Sequence, residues 1–217
     1  MLLYLFVSCK KNINNSNNRI NTMMKRLKIK DYIIIVGGDE NKYNDNTHIL
    51  HINCNDHYEG LPEKIIKTYN FIYKNPIFSK YTFLVKMDDD TIINKPINNL
   101  DLCDYGGYIN NNPNSSRDWH IGKCNNKSVW NNKQYDGIFV PYCLGGYSYI
   151  LSFRILSYFV NINNYNDEIY EDLFIGKILN RNKIYPKCVY NLSEYIESPE
   201  HKFRLFKSQY KFPIIII

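Results

Sequence analysis

The order of apolar and polar positions divides the chain into short strands and helical stretches. Leu2 to Val7 is an unbroken apolar run, which predicts a short buried strand; a polar, Asn-rich stretch from Lys10 to Asn21 follows it. Asp31-Tyr32-Ile33-Ile34-Ile35-Val36 is a continuous β-branched run closed by Gly37-Gly38, the pattern of a strand buried on both faces. His48 to Ile52 predicts a third strand. The period then changes. From Pro62, Ile65, Ile66, Tyr69, Ile72 and Tyr73 recur at helical spacing, with Pro in the first turn, until Asn75-Pro76 stops the helix. Tyr81 to Val85 is again β-rich and delivers Asp88-Asp89-Asp90 just beyond its carboxyl end.

Strands alternating with helices predict an α/β domain with a mostly parallel central sheet flanked by helices. In such sheets ligands bind beyond the carboxyl ends of the strands, where the acidic run lies. Residues 104–137 are poor in apolar side chains yet hold both tryptophans, Trp119 and Trp130, which predicts an active-site loop region. Phe139 to Leu151 turns apolar around Gly145-Gly146, and Asp167 to Leu179 reads as an amphipathic helix through Ile169, Leu173 and Ile178. The closing Ile214 to Ile217 reads as an edge strand or a ragged end.

At 217 residues and 44% hydrophobic content, the chain suits one domain, 1–217, with one sizeable core. The net charge of +6 is made of scattered, interleaved Lys and Arg, so no nucleic-acid partner is expected. Alanine is absent while Asn and Ile number 31 and 30, a bias that points to an AT-rich genome and strips the Asn runs of structural meaning. The six cysteines stand far apart with no C-x-x-C pair, so a zinc ribbon or redox motif is not supported, and buried free thiols are expected rather than disulfides. Met1 to Val7 has no preceding basic residue and no small-residue cleavage site after it, and no apolar stretch approaches the ~20 residues of a membrane span. A soluble, cytoplasmic protein without a transmembrane anchor is the expectation.

Three adjacent carboxylates repel one another unless they share a cation. A hard divalent ion with oxygen ligands, Mn²⁺ or Mg²⁺, meets that need and can hold a substrate phosphate as well. Two chemistries use carboxylates at this place. Haloacid dehalogenase phosphatases carry Asp-x-Asp-x-Thr or Val after a strand, but the fifth position here is Ile92. A nucleotide-sugar transferase needs a metal clamp on the diphosphate, a base for the acceptor hydroxyl and a donor pocket, and fits better.

Four words of the chain, in order, carry a wider pattern. They are Tyr58-Glu59-Gly60-Leu61-Pro62-Glu63-Lys64, Phe83 through Asp90, Tyr142-Cys143-Leu144-Gly145-Gly146 through Ser152, and Glu171-Asp172-Leu173-Phe174-Ile175-Gly176. Over roughly residues 1–205 the chain thereby resembles the β1,3-galactosyltransferase and Fringe-like group, glycosyltransferase family 31. The resemblance implies a GT-A type nucleotide-diphospho-sugar transferase fold. It also implies an inverting, metal-dependent transfer of a hexose or N-acetylhexosamine from a UDP-sugar to a hydroxyl of a glycan or glycoprotein acceptor. By the same resemblance Asp90 and Asp88 ligate the metal, and Asp88 and Asp89 help hold the donor. Asp172 becomes the general base, near a helix start that favours an anion.

Lys86 is expected at the phosphates or as counter-charge to the triplet. Gly145 and Gly146 would let main chain approach a sugar. Trp119 matches a family position in a Trp-Tyr-Val strand and would stack on a sugar face. One departure stands out. Where the family often places a metal-ligating His three residues before Ser-Pro-Glu, this chain has Tyr195 before Ser198-Pro199-Glu200, and His201 lies beyond as the candidate replacement ligand. A catalytically inactive sugar-binding relative is the alternative that this departure leaves open.

Overall fold

The computed structural model describes residues 1–98 and 103–199. The strands are β1 (Leu2–Val7), β2 (Tyr32–Gly38), β3 (Lys42–Asn44), β4 (Ile49–Asn53), β5 (Phe83–Asp88) and β6 (Ile92–Ile93), then β7 (Tyr105–Gly107), β8 (Ile109–Asn110), β9 (Tyr142–Cys143), β10 (Tyr149–Ser152), β11 (Lys187–Cys188) and β12 (Ile196–Glu197). The α-helices are α1 (Ile13–Leu27), α2 (Leu61–Lys74) and α3 (Glu171–Arg181). Eight strands form one sheet in the order β11-β7-β10-β5-β1-β2-β4-β3. Its centre, β5-β1-β2-β4, is parallel, while β10 runs antiparallel to both β5 and β7, and β3 antiparallel to β4. The expected class holds: an α/β domain with a mostly parallel central sheet.

Because strand side chains alternate, the central strands feed two separate cores. Leu3, Leu5, Ile33, Ile35 and Leu84 face α2 and α3, where Ile65, Tyr69, Phe174 and Ile178 cover them. Tyr4, Phe6, Ile34, Val85 and Met87 face the other way, against Ile20, Met23 and Met24 of α1. Burial on both faces explains why β1, β2 and β5 read as unbroken apolar runs rather than alternating ones.

The Asn-rich stretch after β1 is a correction to the sequence reading, since from Ile13 it is helix α1. Ser16, Ile20, Met23 and Met24 are its buried stripe, spaced four, seven and eight residues from the first. Five asparagines, poor helix formers, mask that stripe in the sequence, and packing on the sheet overrides propensity. The late helix begins at Glu171 rather than Asp167. Residues 104–137 are mostly irregular, as expected, but contribute β7 to the main sheet. Ile214 to Ile217, read as an edge strand or a ragged end, lie outside the described residues. All six cysteines are free thiols.

Candidate active site

Register brings the carboxyl ends of the parallel strands into line. Val7 of β1 sits opposite Asp88 of β5 on one side and Ile35 of β2 on the other. Beyond that line the three aspartates separate by strand alternation. Asp88 continues the face of Leu84 and Lys86 toward α3; Asp89 turns to the α1 side, where its Oδ2 accepts from Ser8 Oγ at 2.6 Å and Ser16 Oγ at 2.5 Å. Asp90 is exposed, and partial burial together with the Asp88 and Asp89 charges raises its carboxyl above the usual range. The triplet is thus one anchoring residue, Asp89, and two carboxylates with coordination capacity left.

Lys86 does not reach solvent. Its ammonium donates to Asp88 Oδ1 at 2.8 Å and Glu171 Oε1 at 2.7 Å, with the Gly145 carbonyl at 3.4 Å. Of the two expected roles, the geometry is that of a counter-charge, with no proton left over for a phosphate. Burial alone would lower this ammonium; Asp88 and Glu171 outweigh it and hold it protonated.

Helix α3 presents its first turn to the same place. Asp172 Oδ2 accepts the Gly145 N–H at 2.9 Å and Oδ1 the Leu173 N–H at 2.8 Å. Burial raises the Asp172 carboxyl, opposed by those two N–H bonds and Lys86. Glu171, to which the sequence reading gave no role, turns inward. Its Oε2 accepts the Tyr149 hydroxyl at 3.2 Å, and that hydroxyl is 2.8 Å from the Tyr69 hydroxyl. Since Tyr149 spends its one proton on Glu171, Tyr69 is the donor in that last bond. Burial pushes Glu171 up to about 7, against the pull of Lys86 and with the push of Asp172. The available signal was that Glu171 adjoins Asp172 in the fourth motif word.

Two glycines are explained by close packing. A Cβ on Gly145 would lie 2.5 Å from Glu171 Oε1, and one on Gly176 would lie 2.6 Å from the Tyr142 Cβ, where α3 crosses β9. Gly145 therefore meets the helix, with its carbonyl on Lys86 and its N–H on Asp172; Gly146 beside it is half-buried. Trp119 departs from the expected strand: it lies in a turn, 61% exposed, with the Lys123 ammonium 3.4 Å from its ring centroid. Trp130 anchors the loop region instead, packed with Cys124, Tyr135, Ile169 and Leu173. His120, fully buried, joins the same loop to Tyr170 Oη at 2.7 Å, directly before Glu171.

The first motif word also has a structural account. Lys64 is buried and donates to Asp56 Oδ1 at 2.6 Å and the Ser8 carbonyl at 2.9 Å. Asp56 in turn accepts the Gly37 and Lys10 N–H groups at 2.7 and 2.5 Å, so one ion pair ties the ends of β1 and β2 to α2. Tyr58 stands near Asp172 and Asp88; burial, then the Asp172 charge, raises its phenol strongly. A groove of about 700 Å³ runs along the outer side of α2 between Lys67, Lys74 and Tyr165 and shares no residue with this site.

The residues fit a divalent cation through Asp88 and Asp90, because such ions are often held by one or two carboxylates plus substrate phosphates. Among the described residues no three His, Cys, Asp or Glu side chains gather as a cage. Tyr195, at the expected His position, is core: its ring is buried among Ile93, Val189 and Ile196, with Lys95 4.5 Å from the centroid. The strand after it, β12, pairs with β6 just past the acidic run. His201 lies outside the described residues.

A family model described as Galactosyltransferase matches residues 24–189. The chain belongs to that family. It is accordingly a glycosyltransferase of the hexosyl-transferring kind, with a sugar donor and a glycan acceptor. Its architecture is the α/β layout, with a large, mostly parallel central sheet, that the sequence led one to expect. No curated protein matches the chain. Among solved structures it is similar to a protein described as a glucose-1-phosphate thymidylyltransferase from Bacillus anthracis in complex with sucrose, at 10% identity over 99% of this chain and 97% of that one, TM-score 0.44. It is also similar to an active-site mutant of LgtC, at 11% identity over 88% of this chain and 68% of that one, TM-score 0.36. No helix among the described residues of this galactosyltransferase-family chain is long and apolar enough to cross a membrane.

Proposed function

We propose that this chain is an inverting, divalent-cation-dependent transferase that moves a hexose or N-acetylhexosamine from a UDP-sugar to a hydroxyl of a glycan or glycoprotein acceptor. One observation carries the reading: the acidic run and the α3 carboxylates meet through a single ammonium, Lys86, at 2.8 and 2.7 Å. Donor-holding and proton-accepting groups thereby share one site at the carboxyl edge of the sheet.

Asp88 and Asp90 would hold Mn²⁺ or Mg²⁺, which when bound supplies positive charge against the charge growing on the departing UDP. Asp172 takes the proton from the acceptor hydroxyl. Each of its oxygens accepts one backbone N–H, which orients the carboxylate and leaves a lone pair on each for that proton. Its carboxyl, raised by burial, is a stronger base than that of an exposed aspartate. Gly145 couples the two halves, since its N–H orients the base while its carbonyl faces Lys86.

Incubation of the protein with a panel of UDP-sugars and Mn²⁺ tests the reading. Metal-dependent UDP release with an acceptor, and inverted anomeric configuration in the product by NMR, are the expected results. Donor binding without UDP release identifies the non-catalytic sugar-binding relative instead, and hydrolysis of phosphomonoesters without UDP release identifies a phosphatase. Asp90→Ala should weaken Mn²⁺-dependent donor binding by at least ~100-fold, because even changes to groups behind a metal ligand cost ~10–100-fold. Equal donor affinity for parent and variant by calorimetry excludes Asp90 as a ligand.

A further inference from the structure

Lys86 is one cation held between two carboxylates in a nearly solvent-free cluster. Its side chain is 3% exposed and the Glu171 side chain 9%, whereas Asp88 is 42% exposed. The three ammonium protons have three acceptors: Asp88, Glu171 and the Gly145 carbonyl. A Lys86–Asp88 pair alone would be neutral, and a cation approaching Asp88 would compete with a buried ammonium 2.8 Å away for the same negative charge. With ionised Glu171 on the opposite side of the ammonium, the trio carries one net negative charge. The outer carboxylate, Asp88, is the one that solvent and ligands can reach.

We propose that Glu171 is the counter-charge that keeps Lys86 from neutralising Asp88, and so sets how tightly the acidic run holds a divalent cation and the donor diphosphate. The inference rests on the assignment of Asp88 and Asp90 as cation ligands. Glu171 acts through Lys86 and touches neither substrate nor cation, which makes it a positioning residue. Its second oxygen, held by Tyr149 and through it Tyr69, fixes the carboxylate on the Lys86 side, and Gly145 leaves it the room.

Mn²⁺ binding by isothermal calorimetry on the full chain tests this without any turnover. Glu171→Gln keeps the shape and removes the charge; roughly tenfold weaker Mn²⁺ binding is expected, in line with changes behind metal ligands. The double variant Lys86→Met with Glu171→Gln removes the ammonium as well and should bind Mn²⁺ at least as tightly as the parent. A purely structural role predicts the reverse, with the second substitution adding to the damage. Unchanged Mn²⁺ affinity in Glu171→Gln, or a double variant no better than the single one, overturns the proposal.

Lys86→Met alone covers the case in which Glu171→Gln does not fold. It should bind Mn²⁺ no more weakly than the parent, and a loss overturns the proposal. The transferase reading is separable. A parent protein that binds Mn²⁺ yet releases no UDP from any donor sinks that reading and leaves the charge comparison decisive, whereas a parent that binds no Mn²⁺ sinks this inference.

Discussion

Asp172→Asn is expected to bind donor as the parent does and to transfer sugar on the order of 10²–10⁴-fold more slowly, the usual contribution of a positioned general base. Donor binding persists because the acidic run lies at the carboxyl end of β5, and Asp172, on α3, is hydrogen-bonded to Gly145, whose carbonyl faces Lys86, rather than to the run itself. The amide can accept only one of the two N–H groups that the carboxylate accepts, so a modest stability loss of about 1 kcal/mol accompanies the change. Single-turnover transfer, read beside donor affinity, separates the two effects. Transfer at the parental rate removes Asp172 from the base role.

The pH dependence follows from the same group. Burial raises the Asp172 carboxyl, and the base works only when ionised, so activity falls with acid at a higher pH than an ordinary aspartate would give. The residual activity of Asp172→Asn should lack that acid limb. A profile of kcat against pH for both proteins checks it.

Lys64→Met should destabilise the fold by ~3–5 kcal/mol, the cost of stranding one partner of a buried ion pair. Lys64 is fully buried, and its removal leaves the Asp56 carboxylate and the Ser8 carbonyl without their shared donor, at the junction of β1, β2 and α2. Burial would raise Asp56, but the Lys10 N–H, Lys64 and the Gly37 N–H together lower it below the ordinary range. A depressed carboxyl stabilises the fold above its unfolded pKa, and that contribution is lost as pH falls through the lower folded value. The gap between parent and variant should therefore narrow as pH drops below about 4. Urea unfolding at neutral and acid pH measures it, and a constant gap would mean that Lys64 acts through packing alone.

The legible parts of this protein are those where one physical cause dominates. β1, β2 and β5 announce themselves because burial on both faces demands continuous apolar residues, and α2 because Pro62 and the Ile65-Tyr69-Ile72 spacing agree. Helix α1 escaped because its stripe of Ser16, Ile20, Met23 and Met24 is interrupted by asparagines whose abundance reflects composition rather than structure. β7, β11 and β3 are two or three residues long, too short for a period to register, and exist because neighbouring strands offer ladder partners.

The sequence by itself determined the class of sheet, the place of the acidic run at its carboxyl edge, and the four ordered words that mark the family. Only the tertiary structure decided how the carboxylates divide their work, because side-chain direction depends on strand alternation and on what packs above each face. Asp88 turns to Lys86 and Asp89 to Ser8 and Ser16, while Asp90 stays exposed. In the first turn of α3, Asp172 takes backbone N–H groups, and Glu171, from the preceding position on the helix, goes to the buried ammonium. Residues 85 positions apart, Lys86 and Glu171, form that pair across β5 and α3, a contact that exists only once the chain has folded.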